Sequence, residues 1–127
     1  MTRVNEIHKC EICGNIVEIL HEGAGDLYCC GKVMELKKSN YEENVDTEKH
    51  IPIMKDDEKG KRITVGEVEH PMEAAHYIEW IEVIFPDGKV LRRNLKPGDE
   101  PSIYCGQDHS EHVIRAYCNV HGLWEKK

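Results

Sequence analysis

Phenylalanine occurs once in this 127-residue chain and aromatic residues make up only 6% of it, so any core must lean on Val, Ile and Leu. No apolar run approaches the ~20 residues that a membrane-spanning helix needs. Basic residues are too few for a nucleic-acid or anionic-membrane partner: Lys and Arg number 17 against 24 Asp and Glu, a formal charge of −7. The opening residues Met1 to Glu6 contain no signal-peptide apolar core, and the expectation is a soluble, cytoplasmic protein. There is no internal repeat, no low-complexity tract and no long amphipathic helix. What the chain does hold in quantity is six cysteines and eight histidines. In a reducing compartment such cysteines are better explained as metal ligands than as a disulfide framework.

Three stretches can be separated. Residues 1–37 hold four of the six cysteines and too few apolar residues to fold by burial alone, so this segment calls for a metal staple. A short strand is expected over Asn15–Leu20, a turn at Gly23–Asp26 and extended chain over Val33–Leu36. Residues 38–47 are polar and aperiodic and read as a linker. Residues 48–127 read as all-β, with strands over Arg62–Val68, Tyr77–Phe85, Val90–Leu95, Ser102–Cys105 and Val113–Tyr117. Pro86-Asp87-Gly88-Lys89 and Lys96-Pro97-Gly98-Asp99 are turn signals, and strands so spaced point to a β-sandwich or barrel.

Cys10-Glu11-Ile12-Cys13 is a Cys-x-x-Cys knuckle, and Cys29 and Cys30 complete four thiolates for a tetrahedral ion, iron or zinc. Adjacent cysteines diverge in extended chain, so pairing Cys29 with Cys30 should strain the site. A structural zinc ribbon is the plainest alternative; a redox dithiol lacks its βαβ setting. The second cluster comprises His50, His70, His76 and the Cys118-x-x-His121 pair. His70 and His76 cannot converge from a strand, where six residues span ~20 Å, nor share a helix face. Pro71 suggests a curled loop that brings both rings to one point. Four imidazoles and one thiolate fill five positions, too nitrogen-rich for ordinary zinc and suited to iron with one position open. Cys105 reads as a small buried hydrophobe. His109 and His112 lie in a polar loop and are expected at the surface, His8 and His21 are structural or surface residues, and Trp80 and Trp124 are packing residues.

At these residues the chain resembles the desulfoferrodoxins, the two-iron superoxide reductases. The resemblance rests on Cys10-x-x-Cys13, Cys29-Cys30, Glu48-Lys49-His50-Ile51-Pro52, the His70-Pro71-Met72 to His76 segment with Ile78-Glu79-Trp80-Ile81, and Tyr117-Cys118-Asn119-Val120-His121-Gly122-Leu123-Trp124. It covers almost the whole chain. It implies a desulforedoxin-like domain (1–37) with a tetrathiolate iron at Cys10, Cys13, Cys29 and Cys30, a linker (38–47), and an immunoglobulin-like β-sandwich (48–127). The sandwich would hold a second iron by equatorial His50, His70, His76 and His121 and axial Cys118. The implied activity is one-electron reduction of superoxide to hydrogen peroxide without oxygen evolution, with rubredoxin as electron donor and a homodimeric assembly. Because superoxide is an anion and the protein is acidic, attraction has to be local. Lys49, beside His50, is its natural source and can help deliver protons, and Glu48 matches the family carboxylate that occupies the sixth position in the resting state. The rival readings are a non-catalytic zinc or iron-binding module, an electron-transfer protein and a superoxide dismutase.

Overall fold

A computed structural model describes residues 1–41, 50–106 and 112–126, and its contacts divide the chain into two compact units, Met1–Lys38 and Ser39–Lys127. Every regular element among the described residues is a β-strand.

The first unit has five short strands: β1 (Ile7–Lys9), β2 (Ile16–Glu18), β3 (Tyr28–Cys29), β4 (Lys32–Val33) and β5 (Glu35–Lys37). β1 is the centre of an antiparallel sheet in the order β2-β1-β5, and β3 and β4 form a separate hairpin. The stretch expected to be extended, Val33–Leu36, is split at Met34, whose amide turns away to the Leu27 carbonyl at 2.8 Å. Buried apolar residues here are few, Ile7, Ile19 and Met34 with Cys10, while Ile12, Leu20, Tyr28 and Val33 are exposed. A core of that size cannot hold a 38-residue unit by burial, as the composition suggested.

The second unit adds β6 (Pro52–Asp57), β7 (Gly60–Val65), β8 (Ile78–Ile84), β9 (Val90–Asn94), β10 (Ser102–Tyr104), β11 (Val113–Cys118) and β12 (Gly122–Glu125). They form two antiparallel sheets, β10-β7-β6 and β12-β11-β8-β9. Ile63 and Val65 of β7 and Ile103 of β10 share one apolar cluster with Ile81 and Val83 of β8 and Ile114 and Ala116 of β11. This is the expected sandwich, with alternate residues of each strand turned into the shared core. Cys105 is part of that core, as anticipated.

The structure corrects several boundaries. β7 stops at Val65, short of the expected Val68, because Gly66 turns the chain with φ +74°. β6 was not among the expected strands; it forms as the antiparallel partner of β7, paired from Pro52↔Val65 to Asp57↔Gly60. β12, also unexpected, follows directly from the hairpin at Gly122. The start of the expected linker is fastened to the second unit: Asn40 pairs with Trp124, and Ser39 Oγ and Tyr41 Oη donate to Glu125 at 2.9 and 2.8 Å. The rest of that linker, residues 42–47, lies outside the described residues, as do Glu48, Lys49 and His109. His112, expected at the surface, is half-buried with its ring edge-on to Phe85 at 5.6 Å.

The pairing of β8 with β11 is irregular at one end and charged on one face. Trp80 opposes Tyr117 but Cys118 opposes Ile78, so Glu79 is the extra residue of a β-bulge. The bulge lets Ile78 and Cys118 both face the core while Trp80 and Tyr117 stack on the other face, ring centroids 5.8 Å apart. On that second face Glu82 and Arg115, directly opposed, make an ion pair with Nη2–Oε2 at 2.7 Å, and Glu82 is fully buried. Truncating one member of a buried pair strands the other charge, at a cost of about 3–5 kcal/mol. Glu82→Ala is therefore expected to lower the unfolding free energy of the second unit by that amount in urea denaturation. A change below about 1 kcal/mol, the level of an exposed pair, would contradict the assignment.

Candidate metal centres

The two hairpins that carry cysteine knuckles are built alike. In the first unit the Cys13 amide donates to Cys10 Sγ at 3.4 Å, and Gly14 follows with φ +86°. In the second unit the His121 amide donates to Cys118 Sγ at 3.4 Å, and Gly122 follows with φ +86°. In each case the turn folds residue four of the motif back over the sulfur of residue one. The next residue must then sit in the left-handed region, which glycine enters without a Cβ penalty.

Cys29 and Cys30 reach the first knuckle from the β3–β4 hairpin. Cys29 pairs with Lys32, so Cys30-Gly31 is a two-residue loop, and both residues have positive φ, +54° and +75°. That is the pattern of a type I′ turn. The strain anticipated for adjacent cysteines is thus carried at one backbone position, Cys30, and it allows neighbouring side chains to converge. All four sulfurs lie within 4.8 Å of one another, with Cys13 and Cys29 at 3.5 Å. Sulfurs around a tetrahedral ion at ~2.3 Å would be about 3.8 Å apart, so the donor set fits one ion. The Cys10 thiol is lowered to about 6, first by the Cys13 amide, whereas Cys30 is pushed up to about 12, first by hydrogen bonding with Cys13. One thiolate forms readily, and a cation at the centre is what would let the others follow.

In the second unit the four histidines close into a ring. Ring centroids are 4.7 Å apart for His50–His70, 4.9 Å for His70–His76, 5.2 Å for His76–His121 and 4.8 Å for His121–His50. Neighbouring planes meet at 62° to 84°, so the rings stand edge to face around a common centre. His50, His76, His121 and Cys118 present ligand atoms within 4.8 Å of one another. His70 completes the ring through His50 and His76, across from His121. Donor nitrogens ~2.1 Å from one ion would be about 4.2 Å apart across it, so His50, His76, His121 and Cys118 fit a single metal, and His70 borders them through its ring contacts.

Each imidazole is placed by a different device. His70 and His76 are gathered by a curled loop, as the proline suggested: Glu73 and His76 exchange backbone bonds at 3.0 Å, closing a tight turn. His70 Nδ1 lies 2.8 Å from the Pro71 carbonyl, which makes Nδ1 the protonated nitrogen and leaves Nε2 as the donor atom. His50 is stacked on Trp124 at 4.7 Å and 15°, and Trp124 Nε1 donates to the His121 carbonyl at 3.2 Å. Trp124 is a packing residue, as expected, but what it packs is the site. His50 and Cys118 are fully buried, whereas His76 and His121 are half-buried. Sequence reasoning missed Asn119, whose side chain bonds both to Ala75 and to Tyr77; its only signal was its place inside the Cys118-x-x-His121 knuckle.

Comparisons with known proteins agree with this description. The sequence pattern described as Desulfoferrodoxin matches residues 42–127, and Desulfoferrodoxin, N-terminal domain, matches residues 2–36. A desulfoferrodoxin homolog of Methanothermobacter thermautotrophicus is 48% identical over 98% of this chain and 99% of its own length. A superoxide reductase of Thermococcus kodakarensis is 32% identical, covering 63% of this chain and 85% of its own. Among solved structures, the superoxide reductase from Treponema pallidum shares the fold with a TM-score of 0.74 at 22% identity, covering 100% of both chains.

Burial, and then the neighbouring His70, His121 and His76, lower His50 from its ordinary 6.5 to about 3. It is therefore a neutral, ligand-competent imidazole at physiological pH. In the metal-free protein the unfolded chain takes up this proton below about 6.5 and the folded one does not until about 3, so folding stability is retained above that range and falls as pH drops through it. Urea denaturation of the metal-free chain at pH 8, 6 and 4.5 should show this decline, with a shallower slope in His50→Gln. Equal slopes in the two proteins would refute a role for His50.

Proposed function

Since the chain belongs to the desulfoferrodoxin family, we propose that it is a superoxide reductase, which uses one electron and two protons to turn each superoxide into one hydrogen peroxide and evolves no oxygen. The observation that carries this reading is the closed ring of four imidazoles beside one buried thiol. That set is too rich in nitrogen for tetrahedral zinc, and it suits a six-coordinate ion with one position left for a small anion. Iron held there would supply the single electron that the reaction needs.

The residues take distinct parts. His50, His70, His76 and His121 would hold that iron through imidazole nitrogens, and Cys118 would hold it through its sulfur. Thiolate ligation there would raise electron density at the metal, as it does in haem proteins. Cys10, Cys13, Cys29 and Cys30 would hold a second iron, their four thiolates leaving no place for substrate. Lys49 and Glu48, which precede His50 in sequence, lie outside the described residues. Lys49 would draw the anion in and help to deliver protons, and Glu48 would supply a carboxylate to the resting state; adjacency in sequence to His50 and the family likeness support both roles. The division into a tetrathiolate domain (1–37), a linker (38–47) and a reductase domain (48–127) belongs to the same reading. So do a rubredoxin donor, a homodimer and a cytoplasmic location; among the described residues no helix is long and apolar enough to cross a membrane.

The oxidised, iron-loaded protein should contain two irons in distinct environments by metal analysis and EPR. Cys118→Ser is expected to abolish the thiolate-to-ferric charge-transfer band of the five-ligand site, and survival of that band would mean that Cys118 is not a ligand. Lys49→Ala should slow the second-order reaction with superoxide by about tenfold and flatten its dependence on ionic strength. An unchanged rate, measured by pulse radiolysis, would remove Lys49 from the mechanism.

A further inference from the structure

The loop that carries His76 has an exposed crest. Glu73, Ala74 and Ala75 are all exposed, and His76 is half-buried. The paired bonds between Glu73 and His76 close the turn upon itself but do not fix it in space. One anchor lies upstream, at Met72, whose carbonyl accepts the Gly98 amide at 2.8 Å and whose sulfur accepts the Ile78 amide at 3.4 Å. The other anchor is Asn119.

Asn119 brackets His76. Its Nδ2 donates to the Ala75 carbonyl at 3.1 Å, and its Oδ1 accepts the Tyr77 amide at 2.9 Å. Its own amide donates to the Tyr77 carbonyl at 3.2 Å. The residues just before and just after the histidine are thus held by one side chain. That side chain belongs to the first turn residue of the hairpin that carries Cys118 and His121. A side-chain amide donates from one atom and accepts at another, which lets it bond both flanks of the histidine at once.

We propose that Asn119 is the positioning residue for His76, setting the height and direction of that imidazole against the Cys118–His121 knuckle. This rests on the ligand roles that the superoxide reductase reading assigns. Asn119 does not touch substrate or metal; it transmits the geometry of one hairpin to a ligand on a separate loop. Groups that orient a metal-binding histidine typically change metal affinity by about 10–100-fold when removed. Asn119→Ala should therefore release iron faster by about that factor. Asn119→Asp keeps an acceptor for the Tyr77 amide but sets a carboxylate oxygen against the Ala75 carbonyl, so it too should release iron faster than the parent protein.

The test uses the iron-loaded, oxidised full-length chain challenged with excess EDTA, monitored by loss of the thiolate-to-ferric band. Parent, Asn119→Ala, Asn119→Asp, His76→Ala and the His76→Ala/Asn119→Ala double variant are compared. If Asn119 acts through His76, the double variant loses iron no faster than His76→Ala alone. Additive acceleration in the double variant, or parent-like retention in Asn119→Ala, overturns the proposal. So does a lowered melting temperature of metal-free Asn119→Ala with iron retention unchanged, which would mark an ordinary loop residue. Parent-like retention in His76→Ala would instead overturn the ligand role of His76, a failure readily told apart from the others.

Discussion

A backbone amide pointing at a cysteine sulfur three residues back is the interaction on which both clusters depend. It occurs at Cys10 and again at Cys118, at 3.4 Å each time. The bond stabilises the thiolate over the thiol, because an N–H donor favours the charged acceptor. It also forces a turn that returns the fourth residue of the motif to the same side as the first. Without that turn, Cys13 and His121 would project away from their partners. The glycine at +86° after each of them is the conformational requirement of the same turn. Every other ligand is brought to one of these two fixed pairs: the β3–β4 hairpin delivers two cysteines to the first, and the 70–77 loop with His50 delivers the rest to the second.

The two units meet this requirement with different resources. The first has only a few buried apolar side chains, so its hairpins depend on cross-linking at the cysteines themselves. The second has a packed sandwich behind the knuckle, and the bulge at Glu79 adjusts the end of β8 so that Cys118 faces into it. A scaffold that folds by its own core can present five ligands around a centre and leave a sixth position without collapsing onto it. A unit held together mainly by its ligands needs a saturated ion. The contrast between a closed centre and a reactive one follows from how much apolar surface each unit can bury.

The ligands were legible in the sequence where the geometry is local. Cys-x-x-Cys and Cys-x-x-His carry their own turn chemistry, and Pro71 announced a bend between His70 and His76. Strands rich in Ile and Val could be read from their spacing between turn signals, and Cys105 from its place at a strand end. Other features were hidden because they depend on partners distant in sequence. Nothing local shows that Cys30 adopts φ +54°, since the turn type is set by β3 and β4 pairing. Lys55-Asp56-Asp57 forms a strand only because β7 lies beside it. Glu82 looks like a solvated residue until Arg115 is found directly opposite on β11. Asn119 looks like a turn residue until its bonds to Ala75 and Tyr77, more than forty positions away, are seen.

The choice of ligand types also answers the problem that net charge raises. The chain carries a formal charge of −7, and its substrate in the proposed reaction is an anion. Had the second centre been built from carboxylates, a divalent ion would be neutralised or made negative, and substrate would meet repulsion at every range. Neutral imidazoles contribute no charge, and burial holds His50 in that form. A single thiolate would therefore leave a divalent ion held there with one net positive charge. In a partly buried site that charge acts through a low effective dielectric on a nearby anion, while the acidic surface beyond a Debye length of ~8 Å is screened by salt. The ring of histidines is thus an electrostatic choice as well as a coordination geometry: it keeps the metal attractive to an anion inside a protein that is not.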